Sequence, residues 1–410
     1  MKLTKAVVDH AAVPTTGQIF YRDDLLTGFA LRVTAAGVKS FVVEKRIKGQ
    51  VRRKTLGRYG ALTAEEARKE AQKFLGQVAG GADPIAEQRA TTARAVTLGE
   101  VLEAYLAARK NLKPSTVHSY RRTQREAFAD WTDRPIAHIS KEAVAQRHAR
   151  IGARSPAQAN NAMRVLRALF NFAGGQYEDA QGKSLFPENP VARLSHTRAW
   201  YRVERRRTWI APAHLPAWLA AVMALKQDGP DSQDAMVADL LLLLLFTGLR
   251  RTEGLRLRWE HIDLDHRTLT VLDTKNREPL TLPLSDFLTE LLTARRKITA
   301  GPYVFPGTGE HGHLIEPRPQ MRRISEQSGV SFILHDLRRT FITVAESLDI
   351  PYYSLKRLVN HTIAGDVTAG YIITNVERQR APMERISRAL LQQAAFGRSN
   401  VLPFAALDAS

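Results

Sequence analysis

The chain has 410 residues, with 60 Lys and Arg against 41 Asp and Glu, a formal net charge of +19; at about 100–200 residues per domain this suggests two to four domains. Hydrophobic residues make up 44% of it and cysteine is absent, so wholesale disorder, disulfides, thiolate nucleophiles and Cys-based metal sites are excluded. The basic excess points to a polyanion, most simply nucleic acid, without separating a DNA enzyme from a passive binder or a ribosome-associated protein.

The first residues, Met1 to His10, lack the apolar stretch of a secretory signal, so a cytoplasmic, nucleoid-associated protein with no membrane partner is expected. Phe29, Leu31 and Val33 alternate with Ala30, Arg32 and Thr34, the period-2 pattern of a half-buried strand. Ser40 to Lys45 and Val51 to Tyr59 make two more runs on either side of Lys48-Gly49, which predicts a three-stranded meander. Thr63 with Glu66 is a capping box, and Ala67, Ala71, Phe74, Leu75 and Val78 share one face of the helix it opens. Within the meander Lys39, Lys45, Arg46, Lys48, Arg52, Arg53, Lys54 and Arg58 stand against the single acid Glu44. Such a run is either a solvated face or a sheet surface laid against DNA. Residues 1–90 form this unit, and 85–95 read as a linker.

Residues 91–197 read as a helical block. Thr97 and Glu100 cap a first helix, Pro114-Ser115 start a second running to about Trp131, a third lies near 140–151, and Ser155 with Gln158 caps a fourth ending near Phe172. Arg121, Arg122, Arg125, Arg147, Arg150, Arg154, Arg164 and Arg167 make the block basic, and Arg121, Arg122, Arg164 and Arg167 are its candidate DNA contacts. An ordinary bundle with a basic surface fits this block equally well on its own.

Residues 198–208 form an Arg-rich connector, 209–395 a larger, mainly helical unit, and 396–410 an uninformative tail. The longest apolar run, Leu240 to Phe246, is far below the ~20 residues that span a bilayer and reads as a buried helix. Leu269–Leu272 and Leu280–Leu284 predict a hairpin. Gly307, Gly309 and Gly312 match GxGxxG after an apparent strand at Tyr303 to Phe305, but Pro317 and Pro319 follow where a dinucleotide site needs a helix to open. Glu310, His311 and His313 in the same loop lack a partner cluster for a metal. There is no P-loop and no nucleophile elbow.

Four separated pieces of this unit make chemical sense together. Gly248 ends the buried helix and delivers Arg250 to the next, with Glu253 one turn on to brace it. Lys275 sits at the hairpin tip, His335 and Arg338 are spaced i, i+3 for one helix face, and His361 precedes Tyr371. In this order and register, Arg250, Lys275, His335-x-x-Arg338, His361 and Tyr371 resemble the tyrosine recombinase (integrase) family. Thr247-Gly-Leu-Arg250 and His335-Asp-Leu-Arg338 are the most specific stretches. The basic meander with Gly81-Ala-Asp-Pro84 resembles the arm-type DNA-binding domain of prophage and genomic-island integrases, and the helical block resembles the family's SAM-like core-binding domain. Asn360 departs from the pattern, standing where the family commonly has Gly.

The resemblance implies a mixed, mainly α fold: a small three-stranded sheet with a helix, a helical core-binding domain, and a mainly α catalytic domain with a small sheet. It implies a site-specific recombinase of a mobile element, acting as a homotetramer on double-stranded core-type and arm-type DNA. An excisionase and a host DNA-bending protein are admitted as accessory partners. A chromosome-dimer resolvase and a type IB topoisomerase share the chemistry but generally lack the arm domain. A catalytically silent DNA-binding or structural protein of the same fold is the rival from another class.

The residue types suit that chemistry. Arg250 and Arg338 can clamp the non-bridging oxygens of a phosphodiester bidentately. A phenol titrates near ~10, so Tyr371 needs an acceptor to act as nucleophile, and His335 is the candidate. Lys275 can protonate the departing 5′ oxygen, and His361 can donate to the phosphate. The 3′-phosphotyrosine product conserves the bond energy, so no ATP, cofactor or divalent metal is implied. Arg251 and Arg339, adjacent in sequence, are expected to matter less.

Overall fold

The computed structural model describes residues 1–47, 50–81, 83–179, 181–274, 277–361 and 375–395; Lys48, Lys275, Tyr371 and the 396–410 tail lie outside the described residues. The chain divides into two compact units, Met1–Glu204 and Arg205–Ser410.

The first unit opens with α1 (Lys5–Asp9) and an antiparallel sheet ordered β1 (Gln18–Arg22), β2 (Phe29–Thr34), β3 (Lys39–Ile47) and β4 (Gln50–Arg58). The sheet therefore has four strands rather than the expected three. In β1 the alternation is hidden because Phe20 lies on the face opposite the core, beneath the Arg53 guanidinium at 4.4 Å. On the other face Phe29, Leu31, Val33, Phe41 and Val43 pack with Ala67, Ala71 and Phe74 of α2 (Ala64–Ala79). Thr63 and Glu66 form the predicted capping box, with Thr63 N–H donating to Glu66 Oε2 at 2.9 Å.

The expected linker at 85–95 is instead helical, as α3 (Pro84–Arg94). Pro84 suits the first helical position, but Ile85 and scattered alanines make no apolar stripe for periodicity to detect. The predicted helices follow as α4 (Leu98–Ala108), α5 (Pro114–Ala127), α6 (Lys141–Gly152) and α7 (Pro156–Gln176), then a short α8 (Ala192–His196). They enclose a second core that includes Leu98, Leu102, Tyr105, Trp131, Leu166 and Leu169. Arg147 is not on the basic surface: it is 6% exposed, lies over Trp131 and bonds Asp130 Oδ2 at 2.6 Å.

The second unit is built around α10 (Gln233–Thr247), preceded by α9 (Leu215–Ala224). Leu240 to Phe246 are all buried, because neighbouring helices cover α10 on every side. Short α11 (Arg251–Leu255) leads to a sheet of β5 (Ile262–Asp263), β6 (Thr268–Val271) and β7 (Leu280–Pro283), the expected hairpin plus one short strand. Then come α12 (Asp286–Ile298), α13 (Arg318–Ser328), α14 (Leu334–Ser347), α15 (Tyr352–Leu358) and α16 (Glu377–Ala395). No helix starts at Gly312, as the sequence predicted. One does open beyond it, with Pro317 as the N-cap of α13 and Pro319 in its first turn, where a missing N–H costs nothing. Among the described residues no helix is long and apolar enough to cross a membrane.

Candidate active site and DNA-contacting surface

Gly248 caps α10 in the left-handed conformation (φ +65°), and a Cβ there would lie 2.5 Å from the Phe341 ring. Glycine thus lets the chain turn tightly over α14 and present Arg250. Arg250 is braced as predicted: Glu253 Oε2 accepts its backbone N–H at 2.8 Å and Oε1 accepts Nη1 at 2.9 Å. Its Nη2 donates to the Asn360 carbonyl at 3.1 Å.

Arg338, 2% exposed on α14, donates Nη1 to the Gly248 carbonyl at 2.5 Å and Nη2 to the Val359 carbonyl. The two guanidiniums therefore tie the end of α10, the start of α11 and the end of α15 into one cluster. Each has five N–H donors, and these carbonyl and carboxylate contacts use two of them, leaving donors for a phosphate. Burial and then the nearby Arg250 lower the Arg338 pKa to about 10, which keeps it charged at neutral pH. Asn360 takes φ +45°, a conformation natural to glycine and tolerated by asparagine.

His335 and His361 border the same cluster, each open to solvent on one side. Burial of its other side, then the charges of Arg339 and Arg338, hold His335 below the ordinary imidazole value. Burial and the charges of Arg338, Arg250 and Lys356 lower His361 to about 4. His361 is thus neutral at neutral pH, and the balance of His335 is pushed the same way, so its ring can accept a proton. Arg251 is drawn off to Glu316 at 3.4 Å. The structure brings together Arg250, Glu253, His335, Arg338 and His361.

In the N-terminal sheet the pleat divides the basic run. Strand register puts Lys39, Lys45, Arg52 and Lys54 on the α2 side. There Lys39 Nζ donates to the Val8 carbonyl at 2.7 Å, Arg52 faces Asp83 at 3.9 Å, and Lys54 lies 5.7 Å from the Phe74 ring centroid. The open face carries Arg46, Arg53 and Arg58 together with Arg22 and Arg32, two residues outside the basic run. A charge count misses these two; the alternation of β2 finds Arg32, whereas Arg22 is found only from the pairing register of β1. Glu44 lies between Arg22, at 3.4 Å, and Arg53. Arg32 Nε is buried without a hydrogen-bond partner.

In the helical block Arg121 binds Glu103 with two hydrogen bonds, at 3.0 and 2.6 Å, and Arg122 pairs with Glu126. Arg167 lies 4.8 Å from the Trp200 ring centroid, and Arg164 is exposed.

Residues 3–91 match the Arm DNA-binding domain, and residues 218–377 match the Phage integrase family. Prophage integrase IntF of Escherichia coli (strain K12) is 24% identical over 92% of this chain and 87% of its own length. Tyrosine recombinase XerA of Pyrococcus furiosus is 29% identical over 43% of this chain and 66% of its own. Among solved structures, a lambda integrase dimer bound to a core site shares the fold at TM-score 0.51 and 20% identity, over 86% of this chain and 95% of that one. The two matched regions together span more than half the chain, and it belongs to the phage integrase family as a tyrosine-type site-specific recombinase.

Proposed function

We propose that the chain cleaves and rejoins DNA at the cluster of Arg250, His335, Arg338 and His361, with Tyr371 as nucleophile, to integrate and excise a prophage or genomic island. The convergence of two anchored arginines and two histidines depleted of charge carries this reading. The arginine donors left over after bracing meet the charge that develops on the scissile phosphate. The Tyr371 phenol loses its proton to His335 and its oxygen attacks phosphorus. The bond to the 5′ oxygen breaks, that oxygen takes a proton from Lys275, and a 3′-phosphotyrosine remains. Attack by a free 5′ hydroxyl reverses the step, so no external energy source is needed. His361, neutral, donates a hydrogen bond to the phosphate.

In this reading residues 1–90 bind arm-type sites through the open sheet face, 91–197 and 209–395 each contact core-type DNA, and 198–208 join them. The solved relatives include a lambda integrase tetramer on a Holliday junction, and this reading gives the present chain the same assembly on two DNA partners. An excisionase and a DNA-bending protein as accessories, and a place in the cytoplasm beside the nucleoid, belong to the same proposal.

Selection of covalently captured duplexes from a random pool of nicked DNA tests it. Tyr371→Phe is expected to bind the selected duplex with unchanged affinity and to form no covalent complex. Attachment that persists in this variant, or moves to Tyr352 or Tyr353, rejects Tyr371. No attachment by the unaltered chain would leave a silent DNA-binding protein of this fold.

A further inference from the structure

The segment that enters the catalytic unit is fastened to the helix that carries His335 and Arg338. Thr208 Oγ1 donates to Asp336 Oδ1 at 2.8 Å, and Arg339 Nη1 donates to the same oxygen at 2.6 Å and to the Thr208 carbonyl at 3.2 Å. Two residues on, the Ile210 N–H donates to Thr340 Oγ1 at 2.9 Å, and the Ile210 side chain is buried in the core. Asp336 Oδ2 accepts the Ile333 N–H at 3.0 Å, so one carboxylate, 2% exposed, caps α14 and holds the incoming chain at once.

Capping alone accounts for a single oxygen of Asp336. The second oxygen and the Arg339 guanidinium are turned back onto Thr208 instead. Immediately before this fastening stand Arg205, Arg206 and Arg207, all exposed. A chain drawn onto phosphates by these arginines therefore ends on the first turn of the helix that bears the site.

We propose that Thr208, Asp336 and Arg339 are positioning residues, which lock the first turn of α14 to the segment 208–210 and so set where His335 and Arg338 point. The inference deepens the catalytic reading above and rests on it. Arg339, Arg338 and Arg250 face His335 as cations, Asp336 as an anion, and His361 as a neighbouring imidazole. Because Arg339 disfavours the imidazolium, its removal lets the His335 pKa rise toward the ordinary value. The acid limb of cleavage then moves to higher pH. A residue that merely supports the fold would lower the rate equally at every pH.

The full-length chain, with ¹³C-labelled histidine and with His335→Gln to identify the resonance, gives the His335 titration directly. Single-turnover attachment to the selected nicked duplex gives the pH profile. Arg339→Met is expected to raise both the His335 midpoint and the acid limb. It should also slow attachment at neutral pH by up to about 100-fold, the scale of a small misplacement of reacting groups, with duplex affinity unchanged. Arg339→Lys is expected to restore the acid limb but not the full rate. Thr208→Val, which keeps volume and charge, is expected to slow attachment without moving the limb. A His335 titration unmoved in Arg339→Met, alongside normal attachment by the unaltered chain, overturns the inference. A shifted titration without any attachment by the unaltered chain overturns the catalytic reading instead.

Discussion

Glu44 in the N-terminal sheet and Glu253 in the catalytic unit hold comparable stations, each a carboxylate on which arginine converges. Their surroundings differ. The partners of Glu44, Arg22 and Arg53, have side chains 68% and 42% exposed, so water and salt compete for them. The Glu253 side chain is 3% exposed and also accepts the Arg250 backbone N–H, so its arginine is fixed in direction before any substrate arrives. The same ion pair is a reversible screen in one place and a rigid bracket in the other. Exposure, rather than pairing, decides which.

That contrast can be broken in four ways. The largest effect is expected at the buried cluster. Arg338→Lys should cut attachment to nicked DNA by about 100–1,000-fold, ~2.7–4 kcal/mol, because a transition-state donor is removed. Gel-shift affinity for the same duplex should barely change, since binding is spread over many phosphates. Glu253→Ala comes next. It strips the part-buried Arg250 guanidinium of its counter-charge and the Arg250 N–H of its acceptor, and should lower unfolding stability by ~1–3 kcal/mol, read from urea denaturation.

On the sheet, replacing Arg22, Arg32 and Arg53 together by Gln should weaken arm-type DNA binding. It should also flatten the log–log salt dependence by about 0.9 for each phosphate that is no longer neutralised. The matched triple at Lys45, Arg52 and Lys54 removes as much charge and should do far less, because these side chains lie on the α2 side. Equal weakening by both triples would show that net charge, not the open face, drives binding. The smallest effect is expected at Glu44. Glu44→Gln should change stability by less than ~1 kcal/mol and tighten DNA binding slightly, the reverse of Glu253→Ala. A large drop in stability there would erase the distinction between screen and bracket.

Much of the fold was legible where local rules act alone. Thr63, Thr97 and Ser155 each cap the helix their spacing announces, and the Leu240 to Phe246 run is the buried α10. The site was legible as an ordered set of residue types, and the described members meet. Strand β1 and helix α3 were not legible, for opposite reasons. Phe20 adds an apolar residue on the wrong face, and α3 supplies too few apolar residues to show a period.

Composition and local spacing by themselves determined the basic character, the caps and the turns at glycine, because each depends on neighbours within a few positions; the candidate catalytic set, spread from Arg250 to Tyr371, came from the family resemblance. Only the tertiary structure decided which lysines and arginines share a face of the sheet, and that Arg147 is a buried strut. It alone turned Arg339 from a bystander into the partner of Asp336 and Thr208, and bound Arg338 to carbonyls of Gly248 and Val359. Those outcomes depend on strand pleat, burial and the meeting of distant segments, and charge at a distance in sequence is felt only once folding has removed the water between the groups.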